Sequence, residues 1–146
     1  MKIIAQNRKA YFNYTIEEEL EAGLVLLGSE VKALRDGRVN INDSYVAESD
    51  GSMSLVNLII GAYKGAKLFT HDEKRPRKIL LHKKETEKLI GKMNVKGYSL
   101  IPTKIFFNRR NKVKVMLGLA KGKKLYDKRE TIKKRDEKRR NDRGED

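Results

Sequence analysis

From Lys121 to Asp146 the chain loses the means to build a core. Its only clearly apolar side chains there are Leu125, Tyr126 and Ile132, too few to offset the entropy of ordering the segment. Any fold must therefore be made by residues 1–120, and residues 121–146 read as a basic tail, disordered when free. The tail has no proline and sets opposite charges four apart at Glu130/Lys134 and Asp136/Arg140. It is expected to turn helical on an anionic scaffold. The body that remains has the usual size of one domain, about 100–150 residues.

Charge says what such a body meets. Across 146 residues, 34 Lys and Arg stand against 20 Asp and Glu, a formal net charge of +14. The tail holds 12 basic and 7 acidic groups, so +9 of that charge belongs to the body, which must carry a basic face of its own. Such a balance points to nucleic acid or an anionic membrane surface. No stretch approaches the ~18 apolar residues of a membrane span. The N-terminus is polar and basic from Gln6 to Lys9, so no secretory signal and no membrane partner are expected, and the protein is placed in the cytoplasm. The absence of cysteine excludes disulfide frameworks, thiolate metal sites and a cysteine nucleophile.

The body reads as strands with a few short helices. Ala10 to Ile16 is rich in aromatic β formers and predicts a strand; the acidic run Glu17 to Glu21 suits one or two helical turns ended by Gly23. Leu24 to Leu27 resumes as a buried strand. Ser29 is placed to cap a short helix whose Val31 and Leu34 face inward and whose Lys32 and Arg35 face solvent, with Gly37 at the left-handed C-cap. Val39–Glu48 and Ser52–Ile60 flank Asp50-Gly51, a strong hairpin signal. Residues 61–77 predict a long loop, Lys83 to Lys92 a helix with Leu89 and Ile90 inward, and Tyr98–Phe107 and Val113–Ala120 two strands joined at Asn108–Asn111. About six strands without a βαβ rhythm predict a mainly β fold: a small antiparallel barrel, OB-fold-like, with two or three short helices and a basic C-terminal tail.

Catalytic patterns are scarce. Gly118–Lys124 (GLAKGKK) approaches a phosphate loop, but only three residues separate its glycines, and Lys124 stands where a magnesium-binding hydroxyl belongs. His82 and Glu85 lack a third ligand, and the cluster Glu17, Glu18, Glu19, Glu21 fits a solvated face. No metal, no cofactor and no enzymatic activity are expected. RNA binding is favoured: Arg8 and Lys9, Lys32 and Arg35, and Lys78, Lys83 and Lys84 are candidate contacts. Stacking candidates are Tyr11, Phe12, Tyr14, Phe69, Tyr98, Phe106 and Phe107, although aromatics on strands more often serve the core.

Several motifs then fall in order along the chain. They are Asn7-Arg8-Lys9-Ala10, Ile16-Glu17-Glu18, Glu21-Ala22-Gly23, the run Gly28–Arg35, and Asp43-Ser44-Tyr45. Arg77–Lys83, Gly91-Lys92, Lys96-Gly97, Gly118–Lys124 and Asp127-Lys128-Arg129 follow. Together they resemble the SsrA-binding protein (small protein B) family over nearly the whole chain. Gly61-Ala62-Tyr63 departs from the family's usual proline-containing turn, and Ala33 replaces a common serine.

The resemblance implies a non-catalytic OB-like barrel that holds the tRNA-like domain of transfer-messenger RNA at its elbow and brings it to stalled ribosomes. It also implies a tail that enters the 16S rRNA decoding centre and the empty messenger channel as a helix. By that resemblance Asn7, Glu21 and Leu80 match positions linked to transfer-messenger RNA, and Asp127, Lys128 and Arg129 match the motif needed for ribosomal function. Tyr126 falls where the family stacks a side chain on rRNA. Gly122, Lys123, Lys124 and Ile132 complete the expected ribosome-binding tail. The protein is expected to be a monomer. A ribosomal or assembly protein acting on rRNA alone is the competing reading, and an RNA-modifying enzyme a third.

Overall fold

The computed structural model describes residues 1–62, 71–95 and 97–122. β1 (Lys2–Gln6) leads through Asn7 into α1 (Arg8–Asn13) and the long β2 (Tyr14–Leu24). After α2 (Gly28–Arg35) come β3 (Val39–Asn40), the hairpin of β4 (Tyr45–Ser49) with β5 (Ser52–Val56), and β6 (Ile59–Ile60). β7 (Arg77–Leu80), α3 (Lys83–Met93) and the hairpin of β8 (Tyr98–Phe107) with β9 (Val113–Gly122) complete the order.

The fold is mainly β, antiparallel and OB-like with three helices, as expected, but it has more than about six strands and the barrel is not closed. Seven of the nine described strands form one antiparallel sheet in the order β1-β8-β9-β2-β7-β5-β4, and β3 pairs with β6 apart from it. The curvature of the sheet begins at β7. Its Ile79 and Leu80 pair with β2 while its Arg77 and Lys78 pair with β5. This short strand hands the sheet from one half to the other and bends it, and bulges in β1, β2 and β8 add curvature. β4 comes back against β8, so the sheet curls to an OB-like shape, but among the described residues no ladder joins β4 to β1.

Three other local expectations need correction. Residues 10–13 are helical rather than extended. The Asn7 side chain accepts the Ala10 N–H at 3.2 Å, and Ala10 packs with Ile101 and Ala120, so a cap and a buried contact override the β propensity of the aromatics. Glu17–Glu21 is strand rather than helix. A bulge between Ile16 and Glu18 turns Glu17, Glu18 and Glu19 to solvent in succession, and Gly23 lies inside the strand, which ends at Leu24 rather than resuming there. Ser29 does not cap α2. The N-cap is Leu27, whose N–H donates to Glu30 Oε1 at 2.8 Å, while the Ser29 hydroxyl bonds His71 Nδ1 at 2.9 Å.

The strongest local signals appear where expected. Gly37 is left-handed with φ +73°. Asp50 and Gly51 take φ of 51° and 79°, the two positive values of a type I′ hairpin, between paired Ser49 and Ser52.

The core lies between the curled sheet and α2 and α3, around Leu34, Leu55, Ile60, Leu100, Ile105 and Leu117. Burial of each such side chain stabilises the fold by about 1.5–3 kcal/mol. An ion cluster is set into it. Arg77 Nε donates to Glu30 Oε2 at 2.6 Å with both side chains fully buried, Arg75 donates to Glu30 Oε1, and Arg77 also donates to the Leu58 carbonyl. His71 Nε2 donates to the Ile60 carbonyl at 2.8 Å. Together these bonds pin the segments 58–60 and 71–77 to the start of α2.

Candidate nucleic-acid interface

β9 joins two surface depressions. Lys114, near its start, faces Gly23 across the ladder; Lys121, near its end, faces Thr15 on β2 and Tyr98 on β8. Seven residue steps along the strand put the two lysines about 23 Å apart.

At the Lys114 end, Glu21, Leu80, His82, Glu85 and Lys114 line an open depression of about 470 Å³. Strand pleating explains the arrangement. On β7, Arg77 and Ile79 turn inward, so Lys78 and Leu80 share the outer face. Leu80 is 51% exposed, a large apolar side chain on a polar surface. Glu21 is exposed opposite Met116. The close approach of β2 and β7 uses Gly23, where a Cβ would lie 3.3 Å from Leu80 Cβ. Lys83, the first residue of α3, is exposed beside this depression. Lys78, Lys83 and Lys114 form no ion pair among the described residues, unlike Lys92, which reaches Glu18 at 2.6 Å. Cations, a carboxylate acceptor and an apolar surface thus meet in one place, a set suited to phosphates, sugar hydroxyls and base faces.

At the Lys121 end, a second depression of about 420 Å³ is lined by Lys9, Asn13, Tyr14, Asp43, Tyr45 and Tyr98, among others. Tyr98 donates to Glu17 at 3.2 Å, and Lys121 Nζ sits 5.7 Å from its ring centroid. The hydrogen bond to the Glu17 carboxylate, more than burial, raises the Tyr98 phenol above its ordinary pKa. Gly122, the last described residue, closes β9 opposite Tyr14.

The predicted site residues therefore separate. Glu21 and Leu80 come together, with Lys78 and Lys83 nearby. Arg8 and Lys9 are exposed on α1, with Lys9 on the second depression. Lys32 and Arg35 occupy the solvent face of α2 and line neither depression. Asn7 is 2% exposed and serves the fold: its Nδ2 donates to the Pro102 carbonyl at 3.0 Å while its Oδ1 caps α1. Gly122 is the last described residue; Lys123, Lys124, Tyr126, Asp127, Lys128, Arg129 and Ile132 lie outside the described residues, as does Phe69. Among the aromatic candidates, Phe106 and Phe107 are core, and Tyr11 is exposed with its hydroxyl donating to Glu19.

Lys114 and Tyr45 were missed. Lys112-Val113-Lys114-Val115 does alternate, and that period alone places Lys114 outward on β9. Tyr45 opens β4 at 45% exposure, after a break in the strand at residues 41–44 that the turn-forming cluster Asn42-Asp43-Ser44 marks. Among the described residues no group of three or more His, Asp or Glu side chains gathers as a metal site would require.

Comparison with known proteins bears on this surface. The family model described as SmpB protein matches residues 4–145. The SsrA-binding protein of Rickettsia canadensis (strain McKiel) is 57% identical over 135 residues, covering 92% of this chain and 89% of that protein. That of Orientia tsutsugamushi (strain Ikeda) is 58% identical over 135 residues, covering 92% and 88%. A chain in a solved structure described as "tmRNA-SmpB: a journey to the center of the bacterial ribosome" superposes with a TM-score of 0.70 at 46% identity, over 83% of this chain and 85% of that one.

Proposed function

Because the chain belongs to the SmpB family, we propose that it is an RNA-binding adaptor, not an enzyme, that binds transfer-messenger RNA and delivers it to stalled ribosomes in trans-translation. The observation that carries the reading is the match to SsrA-binding proteins at 57–58% identity over nine-tenths of the chain. The geometry supplies a physical basis. The depression at Glu21 and Leu80, with Lys78, Lys83 and Lys114 around it, is the face offered to the tRNA-like domain of that RNA. The tail leaves from the other end of β9, so one molecule reaches two RNA targets at once. In this reading Lys123, Lys124, Tyr126, Asp127, Lys128, Arg129 and Ile132 work in the decoding centre and messenger channel. Residues 1–120 act as the RNA-binding body, and the protein works in the cytoplasm as a monomer.

Purification of the tagged protein from its own cells, followed by sequencing of the bound RNA, tests this. One discrete transfer-messenger RNA species is expected. Bulk 16S or 23S rRNA without that species would replace the adaptor by a ribosomal or assembly protein.

A further inference from the structure

No Asp or Glu occurs between Glu87 and Asp127, and within that span Arg109, Arg110, Lys112 and Lys114 place four cations in six residues. The first three ride on the tip of the β8–β9 hairpin, where all are exposed and none forms an ion pair among the described residues. A tip of this charge would be expected to splay by self-repulsion. Instead it is locked from within. Asn108 Oδ1 accepts the N–H of Arg110 at 2.9 Å and of Lys112 at 3.0 Å. The Asn108 N–H donates to the Lys112 carbonyl, the Asn111 N–H donates to the Asn108 carbonyl, and Asn111 takes φ 62°.

The tip also has a neighbour. Asn111, Lys112 and Lys114 share a depression of about 400 Å³ with Gly23, Val31 and Leu80, and no acidic residue lines it. Lys112 and Lys114 thus border the apolar surface of Leu80.

We propose that residues 108–112 are a preformed phosphate-binding prong, which grips the phosphodiester backbone of transfer-messenger RNA beside the Leu80 depression. This rests on the reading of the body as its binding face. Two arginines and a lysine held at fixed spacing match successive phosphates, and the Asn108 lock means the tip is ordered before RNA arrives, so binding does not have to order it. Phosphate contacts of this kind position the RNA without reading its sequence.

The test is a gel-shift titration over a range of salt on the full chain, with transfer-messenger RNA as the probe and three proteins compared. The parent measures the body reading itself; absence of binding by the parent would sink that reading and the prong with it. The triple variant Arg109→Ala, Arg110→Ala, Lys112→Ala should bind about 10- to 100-fold more weakly, and its slope of log affinity against log salt should fall by about 2–3, at ~0.7–0.9 per phosphate released. Asn108→Ala keeps every charge, so it should lose about 3- to 10-fold in affinity with the slope nearly unchanged. Circular dichroism confirms that both variants are folded. Parent-like affinity and slope in the triple variant would overturn the proposal. So would a loss confined to ribosome association of the RNA-bound complex, which would turn the prong toward rRNA. Parent-like affinity in Asn108→Ala would overturn its being preformed.

Discussion

Glu30 shows how one residue holds a surface it does not touch. Its carboxylate takes the Leu27 N–H, the part-exposed Arg75 and the buried Arg77, which ties α2, β7 and the segment before β7 together. Replacement by Ala leaves Arg77 charged and buried without its partner, and should cost about 3–5 kcal/mol in denaturant unfolding. Burial pushes the Glu30 carboxyl up, but hydrogen bonds from Arg75, the Leu27 N–H and Arg77 outweigh it, and the net shift is below the ordinary 4.5. A carboxyl depressed in the folded state stabilises above its unfolded pKa, and that contribution is lost as pH falls through the folded value. The stability gap between the parent and Glu30→Ala should therefore narrow below pH about 4.5. Asn7 works in a similar way. Asn7→Ala removes a cap and a buried bond to Pro102, and should lower stability by about 1–3 kcal/mol. Glu21→Ala and Leu80→Ala sit on the exposed face and should weaken RNA binding with little change in melting temperature. Neither burial was legible in the sequence. Glu30 reads as one more helix carboxylate, and Asn7 as part of a basic RNA-binding opening, because their partners lie about fifty and about a hundred residues away.

At the scale of elements, the β2–β9–β8 ladder underlies the candidate interface, and Gly118 is the most tightly packed of its glycines. A Cβ there would lie 3.0 Å from both Ile16 Cγ2 and Thr103 Cγ2. Gly118→Ala should therefore push β2 and β8 off β9 and cost about 1–3 kcal/mol, read as a drop in thermal midpoint. This glycine first drew notice as part of a broken phosphate loop; its work is packing. Elements defined by local chemistry were legible: the Asp50-Gly51 hairpin, α3, and the β8–β9 pair with its period of two. β1 and α1 were not. β1 exists through its ladder with β8, and α1 through the Asn7 cap and the contact of Ala10 with Ile101 and Ala120. The bulge in β2 likewise converts a helix-like run of glutamates into strand, which no local period announces.

At the scale of the whole molecule, the proposed division of labour follows β9. β9 has the Leu80 depression and the basic hairpin tip near its start, and its last residues, Lys121 and Gly122, pair with Thr15 and Tyr14. The compositional break at Ala120 thus lies two residues before the end of the strand, since a lysine and a glycine at a strand end give no apolar signal. The family was legible, because motifs in order are a property of the sequence itself. The openness of the sheet was not, since it depends on whether its two edge strands, β1 and β4, far apart in the chain, pair with each other. A chain ending at Gly122 keeps every described strand, and it separates the two halves of the account. Peptide tagging on ribosomes stalled without a stop codon, run beside transfer-messenger RNA affinity for the same truncated protein, decides whether the tail does the ribosomal work. We predict affinity within a few-fold of the full chain and tagging nearly abolished. Normal tagging by the truncated protein would contradict the assignment of ribosomal work to the tail.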